Sequence, residues 1–200
     1  MSTTQPPKPH NLFIQMSGAP GSGKSTIAAQ LGRWINGVVI DHDVFRSSLI
    51  ESGIPFEQAA QCAYRLQWAQ AQHIIEQGLS VIVDSTCNYQ DILDRGSALA
   101  NQHDYTYWYI ECKVQDIDLL DERLRTRDPM TSQRTGVDRP PAAAAAAAES
   151  EHAAQDSRAL FKKWMESPFR PKDNVVIVDS TRSPDTLRDE ILKQITGGME

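Results

Sequence analysis

The chain has 200 residues, 40% of them hydrophobic and 23% charged, a globular composition long enough to bury a sizeable core. Its three cysteines, Cys62, Cys87 and Cys112, are too few and too widely spaced for a disulfide framework or a zinc site, and they point to a reduced, cytoplasmic compartment. A net charge of −6 disfavours nucleic acid as a partner without excluding a local basic patch, and no stretch approaches the ~20 apolar residues of a membrane span.

Residues 1–10 are polar and Pro-rich, read as a disordered leader, and lack the apolar segment of a secretory signal. A strand is expected over Leu12–Ser17, and Gly18 opens a Gly/Pro/Ser turn. Lys24–Asn36 reads as a helix with Ile27, Ala28, Leu31 and Ile35 on one face. Val38–Ile40 is a second strand ending on Asp41-His42-Asp43, and Val44–Ile50 is helical. Pro55 opens a long helix to Gln77, which Gly78 stops. Ser80–Val83 is a third strand ending on Asp84, Tyr89–Asn101 a helix, Tyr105–Glu111 a fourth strand and Asp116–Arg127 a helix. Asp128–Pro141 is a loop rich in Pro, Gly and Thr. Ala142–Met165 reads as one helix, because Pro140-Pro141 suits a helix start and Ala has the highest helix propensity. Asn174–Val178 is a fifth strand and Pro184–Thr196 the last helix. Strands alternating with helices predict an α/β fold, a three-layer sandwich with a central five-stranded parallel sheet and helices on both faces.

The run Gly18-Ala19-Pro20-Gly21-Ser22-Gly23-Lys24-Ser25-Thr26 fits G-x-x-x-x-G-K-[ST] and lies between a predicted strand and a predicted helix. Gly18, Gly21 and Gly23 let the backbone turn inward so that several N–H groups converge on one anion. The helix that follows adds its positive end. Lys24 is expected to reach the β- and γ-phosphates and the Ser25 hydroxyl to ligate Mg²⁺, so ATP and Mg²⁺ are the expected cofactors. No guanine-reading N-K-x-D follows the later strands, which argues against a GTPase, and the length suits a compact metabolite kinase better than a motor.

Ligands of an open parallel sheet gather at the carboxyl ends of its strands. Asp41 and Asp43 follow Val38-Val39-Ile40, and Asp84 follows Val81-Ile82-Val83. Asp84 is placed to hold Mg²⁺ directly or through water. Asp43, with Arg46 three residues on, is the candidate general base. A carboxylate facing the γ-phosphate accepts the proton of an acceptor hydroxyl, and an Arg one turn on holds the acceptor or the phosphoryl group. The competing structural role for Asp43 is the N-cap of a helix starting at Val44. Asp41 is the second candidate base, and His42 reads as a bystander.

At these residues the chain resembles a known family. GAPGSGKST, D-x-D-x-x-R (Asp41 to Arg46) and VIVDST (Val81–Thr86) are similar to the motifs of the small P-loop kinases grouped with polynucleotide 5′-kinase, the zeta toxins and chloramphenicol phosphotransferase. The resemblance covers roughly residues 12–130 and 174–181. It implies a P-loop NTPase fold with a helical lid, Asp43 as general base and Arg46 on the acceptor. The family's third motif is D-x-T-N, whereas this chain reads Asp84-Ser85-Thr86-Cys87-Asn88, with one residue inserted before the Asn. By the same resemblance Arg123 and Arg127, four apart on the Asp116–Arg127 helix, are the lid pair that clamps the ATP phosphates, and Ser180 and Thr181 are neighbours of the adenine. The alternative for the arginines is a solvated face paired with Asp118, Asp121 and Glu122. Arg125 points elsewhere on the helix, and Arg134 and Arg139 are weaker candidates in the loop that follows. The implied organisation is a leader over 1–11 and a single kinase domain over 12–200, with its lid at about 123–150.

The remaining features read as structural. Trp164 with Leu160, Phe161 and Met165 has core spacing, and the cysteines are small core residues, Cys87 being near enough to the site for alkylation. The Gln-rich face of the long helix (Gln58, Gln61, Gln67, Gln70, Gln72) reads as solvated, while Trp68 and Tyr64 stand between core and acceptor wall. The expected function is an ATP- and Mg²⁺-dependent phosphotransferase acting on a hydroxyl of a small molecule. One alternative is a 5′-hydroxyl polynucleotide kinase, which needs a basic channel to Asp43. The other is an ATP-binding module whose slow hydrolysis regulates a partner.

Overall fold

A computed structural model of the protein describes residues 11–145 and 152–197. Its sheet has five strands, β1 (Leu12–Ser17), β2 (Val38–Asp41), β3 (Val81–Asp84), β4 (Thr106–Lys113) and β5 (Val175–Asp179). Their order is β2-β3-β1-β4-β5 and every pair is parallel. A central parallel strand is covered on both faces and therefore reads as an unbroken apolar run. β1 is that strand; all six of its residues are buried, and the run is apolar apart from Gln15 and Ser17.

The helices are α1 (Lys24–Trp34), α2 (His42–Glu51), α3 (Phe56–Glu76), α4 (Gln90–Gln102), α5 (Ile117–Thr126), α6 (Ala142–Ala145), α7 (His152–Glu166) and α8 (Pro184–Thr196). α1 and α8 cover one face of the sheet, where Ile27, Leu31, Leu187 and Ile191 pack on Ile14, Met16, Ile82 and Ile110. α3 and α4 cover the other, where Trp68, Ile74, Ile75 and Leu93 meet Phe13, Val81, Val83 and Tyr109. Side chains of this kind contribute about 1.5–3 kcal/mol each when fully buried. A third cluster joins α5 and α7 through Leu120, Leu124 and Phe161 to Ala19 and Val137. Gln15, fully buried in β1, is satisfied by donating to the Ile92 carbonyl at 3.0 Å and accepting from the Tyr107 hydroxyl at 2.7 Å. Trp68 thus belongs to the core.

The α/β three-layer architecture expected from the sequence is what the chain adopts, with several boundaries displaced. Residues 1–10 of the expected leader lie outside the described residues, and the Asn11 carbonyl already accepts from the Thr106 N–H at 2.9 Å. The helix expected from Val44 begins at His42, because Asp41 supplies its cap. The helix expected to end at Arg127 stops at Thr126, and Arg127 is extended, with φ −77° and ψ 159°. Of the helix expected over Ala142–Met165, α6 and α7 are helical, and 146–151 lie outside the described residues. Leu160, expected in the core, is 41% exposed, while Trp164 packs on Phe161 with ring centroids 5.2 Å apart. Among the described residues no helix is long and apolar enough to cross a membrane.

Candidate active site

The turn between β1 and α1 is built for close approach. Gly18 has φ 132° and packs its α-carbon against the Cys112 carbonyl where a Cβ would stand, and Gly23 has φ 89° at the N-cap of α1. Only glycine takes both constraints without strain. Within the turn the Ser22 N–H donates to the Ala19 carbonyl at 3.0 Å, and the Lys24 ammonium reaches back to the same carbonyl at 3.1 Å. Ser25 and Thr26 are exposed on the first turn of α1. From the side, the buried Ser180 hydroxyl donates to the Ser22 carbonyl, while the Ser180 N–H donates to the Lys113 carbonyl at 2.9 Å. Thr181 is exposed and holds Asp179 through its hydroxyl at 2.8 Å.

β2 and β3 are paired so that Asp41 and Asp84 stand opposite each other. Asp84 is 3% exposed. Burial pushes its carboxyl upward, and the Lys24 ammonium and the Ser25 hydroxyl oppose that shift. Burial, then the Asp84 and Asp43 charges, push the Asp41 carboxyl up to about 6. Asp41 is also the cap of α2, accepting from the Asp43 N–H at 2.8 Å. The cap role considered for Asp43 therefore falls to Asp41, and the Asp43 side chain is left for other partners. Its Oδ2 accepts from Gln133 Nε2 at 2.8 Å.

Arg46 lies one turn along α2, with its guanidinium 3.9 Å from the centre of the Phe56 ring. Its Nε is buried without a hydrogen-bond partner, and burial holds its pKa below the usual arginine value. Arg123 donates to the Ser180 carbonyl at 3.0 Å and Arg127 to the Arg134 carbonyl at 2.9 Å. Although Arg127 lies past the end of α5, both arginines face the same cavity. Arg125 turns away and pairs with Asp121 and Asp138, each at 2.6 Å.

These groups line a single cavity of about 1070 Å³. One end holds Pro20, Gly21 and Gly23–Thr26 of the turn, Arg123 and the Ser180–Pro184 segment. The other holds Asp43, Arg46, Phe56, Tyr64, Asn88 and Tyr89. Asn88 thus reaches the cavity despite the inserted residue before it. Arg134 lines it too, and Arg139 does not. The donor set at the junction suits Mg²⁺, which takes one or two carboxylates together with phosphate oxygens, since Asp84 and the Ser25 hydroxyl stand together at the mouth of the turn. Among the described residues no cluster of three His, Cys, Asp or Glu side chains forms a preassembled metal cage.

Several side chains depart from their expected places. Cys87 is fully buried, its thiol donates to the Met16 carbonyl at 3.2 Å, and burial pushes that thiol up to about 12, so it is closed to alkylation. Gln67 is not on a solvated face. It is fully buried and lies 3.2 Å from His42 Nδ1, while Gln58, Gln61, Gln70 and Gln72 are exposed. His42 is buried against the Tyr64 ring, centroids 4.2 Å apart, and still borders the cavity. Ser132 and Gln133 were invisible in the sequence, because a loop residue's contact with Asp43 leaves no periodicity or spacing to read. Phe56 was signalled only by its place at the start of a helix that follows Arg46.

A family model described as an AAA domain matches residues 13–141. The chain belongs to this AAA domain family. Among solved structures, a candidate kinase of Chloroflexus aurantiacus is 18% identical with a TM-score of 0.69, covering 97% of this chain and 100% of its own. A gluconokinase of Sinorhizobium meliloti is 16% identical with a TM-score of 0.59, covering 95% of this chain and 93% of its own. The APS kinase CysC of Mycobacterium tuberculosis, solved with AMPPNP and APS, is 17% identical with a TM-score of 0.56, covering 94% of this chain and 98% of its own. At these identities the likeness is one of fold, the P-loop NTPase fold of small kinases. No curated protein matches the chain significantly.

Proposed function

We propose that the protein is an ATP- and Mg²⁺-dependent kinase that transfers the γ-phosphoryl group to a hydroxyl of a small molecule. The observation that carries this reading is the pairing of unlike charges in one cavity. Lys24, Arg46, Arg123 and Arg127 line it, none of them ion-paired among the described residues, and Asp43 faces them from α2. In a chain of net charge −6, four cations that share a cavity and make no salt bridge among the described residues call for an anionic ligand. The solved kinases of similar fold bear the names of small-molecule kinases, and one was solved with a nucleotide analogue. The finer resemblance to polynucleotide 5′-kinases, zeta toxins and chloramphenicol phosphotransferase rests on the D-x-D-x-x-R and VIVDST motifs alone.

The backbone N–H groups of 18–24 and the Lys24 ammonium cradle the β- and γ-phosphates. Ser25 and Asp84 hold Mg²⁺, which when bound neutralises charge on the phosphate oxygens. Asp43 accepts the proton of the acceptor hydroxyl, whose oxygen forms the new bond to phosphorus as ADP departs. Arg46, stacked on Phe56 with an edge left for hydrogen bonding, orients the acceptor. Arg123 on α5 and Arg127 just past its end, at the start of the lid region that opens at about 123, offset charge that develops on the transferred group. Ser180 and Thr181 border the adenine. Free thiols at all three cysteines fit the cytoplasmic setting of this reading.

The deciding measurement is a screen of small hydroxyl compounds and oligonucleotides with γ-labelled ATP, reading transfer against release of inorganic phosphate. Transfer to a small molecule that is lost in Asp43→Asn is the expected result. Strongly salt-dependent transfer to an oligonucleotide 5′ end, or phosphate release with no acceptor labelled, would replace it by a polynucleotide kinase or a regulatory module respectively.

A further inference from the structure

The turn at 130–134 is docked on α2 at three points. Ser47 and Ser132, both buried, are paired. The Ser47 hydroxyl donates to Ser132 Oγ at 2.9 Å, and the Ser132 N–H donates back to Ser47 Oγ at 3.1 Å. The Thr131 hydroxyl donates to Glu51 at 2.6 Å. Gln133 is the third point, through its 2.8 Å bond to Asp43 Oδ2. Its amide is held at both ends, since Oε1 accepts from the Met130 N–H at 3.2 Å and so directs the NH₂ group at Asp43. Ser132 Oγ lies 3.5 Å from the other carboxylate oxygen, Oδ1. Ser132 Oγ is nearer the Asp43 main-chain carbonyl, at 3.3 Å, so Gln133 is the loop donor engaged with the carboxylate. An acceptor hydroxyl that gives its proton to Asp43 competes with these donors for the carboxylate's lone pairs. Ser132 is fixed by Ser47, whereas Gln133 is part-exposed, and its amide is the group that can be displaced.

We propose that Gln133 is a specificity-determining residue that keeps Asp43 from activating water while the acceptor site is empty, and that it gives way to the acceptor's hydroxyl. This rests on the reading of Asp43 as the general base. In the reaction it suppresses, a water oxygen forms the bond to the γ-phosphorus and the bond from that phosphorus to the β–γ bridging oxygen breaks. ADP leaves, and the water's proton passes to Asp43 and on to solvent. An acceptor that also touches Arg46 and Phe56 brings binding energy with which to displace the amide, and a water molecule brings none. The contact thereby separates two hydroxyl-bearing competitors that share the same attacking atom.

The test is phosphate release from ATP·Mg²⁺ without any acceptor, using the full chain and the variants Gln133→Ala and Gln133→Glu, each alone and combined with Asp43→Asn. Glu keeps the size of Gln and the oxygen that accepts from Met130, but replaces the donor with a like charge. Both single variants are expected to release phosphate about tenfold faster than the parent, and the rise is expected to vanish in both double variants. No rise in either single variant overturns the proposal and leaves the base reading to be judged by Asp43→Asn in acceptor transfer. A rise in one variant alone overturns it as well, because bulk or a new carboxylate, and not the amide N–H, would then govern water. A rise that survives Asp43→Asn overturns both the proposal and the base reading, since water would be activated by another group.

Discussion

The two ends of the cavity are made of different material. The 18–26 end is built around one contiguous turn, shaped by Gly18 and Gly23 and carrying Lys24, with Arg123 and the Ser180–Pro184 segment beside it. The Asp43 end is made of side chains that arrive from α2, the start of α3, the segment after β3 and the 130–134 turn. A site of backbone tolerates change wherever Cβ fits. A site of converging side chains changes its selectivity with each substitution while the fold stays intact. The first end should therefore govern nucleotide binding and the second the fate of the phosphoryl group.

The sharpest test of that division is Asp43→Asn. Transfer to the acceptor should fall about 10²–10⁴-fold, the range for losing a general base, with ATP·Mg²⁺ binding by calorimetry retained. Because Asp41 caps α2, the melting temperature should not move. A joint loss of turnover and melting temperature would mean that Asp43 serves α2 or the dock of the 130–134 turn upon it. Lys24→Ala should act at the other end, lowering ATP affinity and turnover together by an amount on the order of 3 kcal/mol at the transition state. Unchanged ATP binding would erase the distinction between the two ends.

Arg123→Ala and Arg127→Ala test whether the boundary can be crossed. Each should reduce turnover about 10–100-fold while weakening ATP binding less, because the charge they meet develops during transfer. Arg125→Ala, whose partners Asp121 and Asp138 do not line the cavity, is the matched control and should leave both quantities within about twofold. Equal losses of turnover and binding in Arg123→Ala would place that arginine with the nucleotide's ground state.

The smallest effect expected is on stability. In the folded protein the Asp41 carboxyl is raised from the ordinary 3.8 to about 6, chiefly by burial. A group raised on folding contributes its stability below the unfolded value, and that contribution is lost as pH climbs through the folded value. In nucleotide-free, Mg²⁺-free solution the parent should thus lose stability between about pH 4 and 6 relative to Asp41→Asn, which keeps the cap oxygen. Melting curves should coincide near pH 4 and separate by a few degrees at pH 7.5, with the Asn variant higher. Curves that coincide at both pH values would show that Asp41 is solvated.

Much of this was legible in the chain before its fold. The Gly18–Thr26 turn could be read because its work is done by a contiguous segment, in which the special φ values of Gly18 and Gly23, the lysine and the first turn of α1 follow one another. The strand ends Asp41 and Asp84 could be read for a similar reason, since a short apolar run stops where the sheet's carboxyl edge begins. Both faces of the sheet were visible as helical and strand periodicities, which record burial residue by residue. The Asp43 end was only half visible. Asp43 and Arg46 stand at a motif spacing, but the cap on α2 belongs to Asp41, two residues earlier than the alternative considered. Gln67 lies on a glutamine-rich stretch that looks solvated, and only the packing of α3 against His42 turns it inward. Gln133 is 90 residues from Asp43, in a loop with no period at all. Local conformational preference and burial are written along the chain. The meeting of a loop amide with a carboxylate is decided only when α2 and the 130–134 turn are brought together by Ser47 and Ser132, a long-range contact with no local signature.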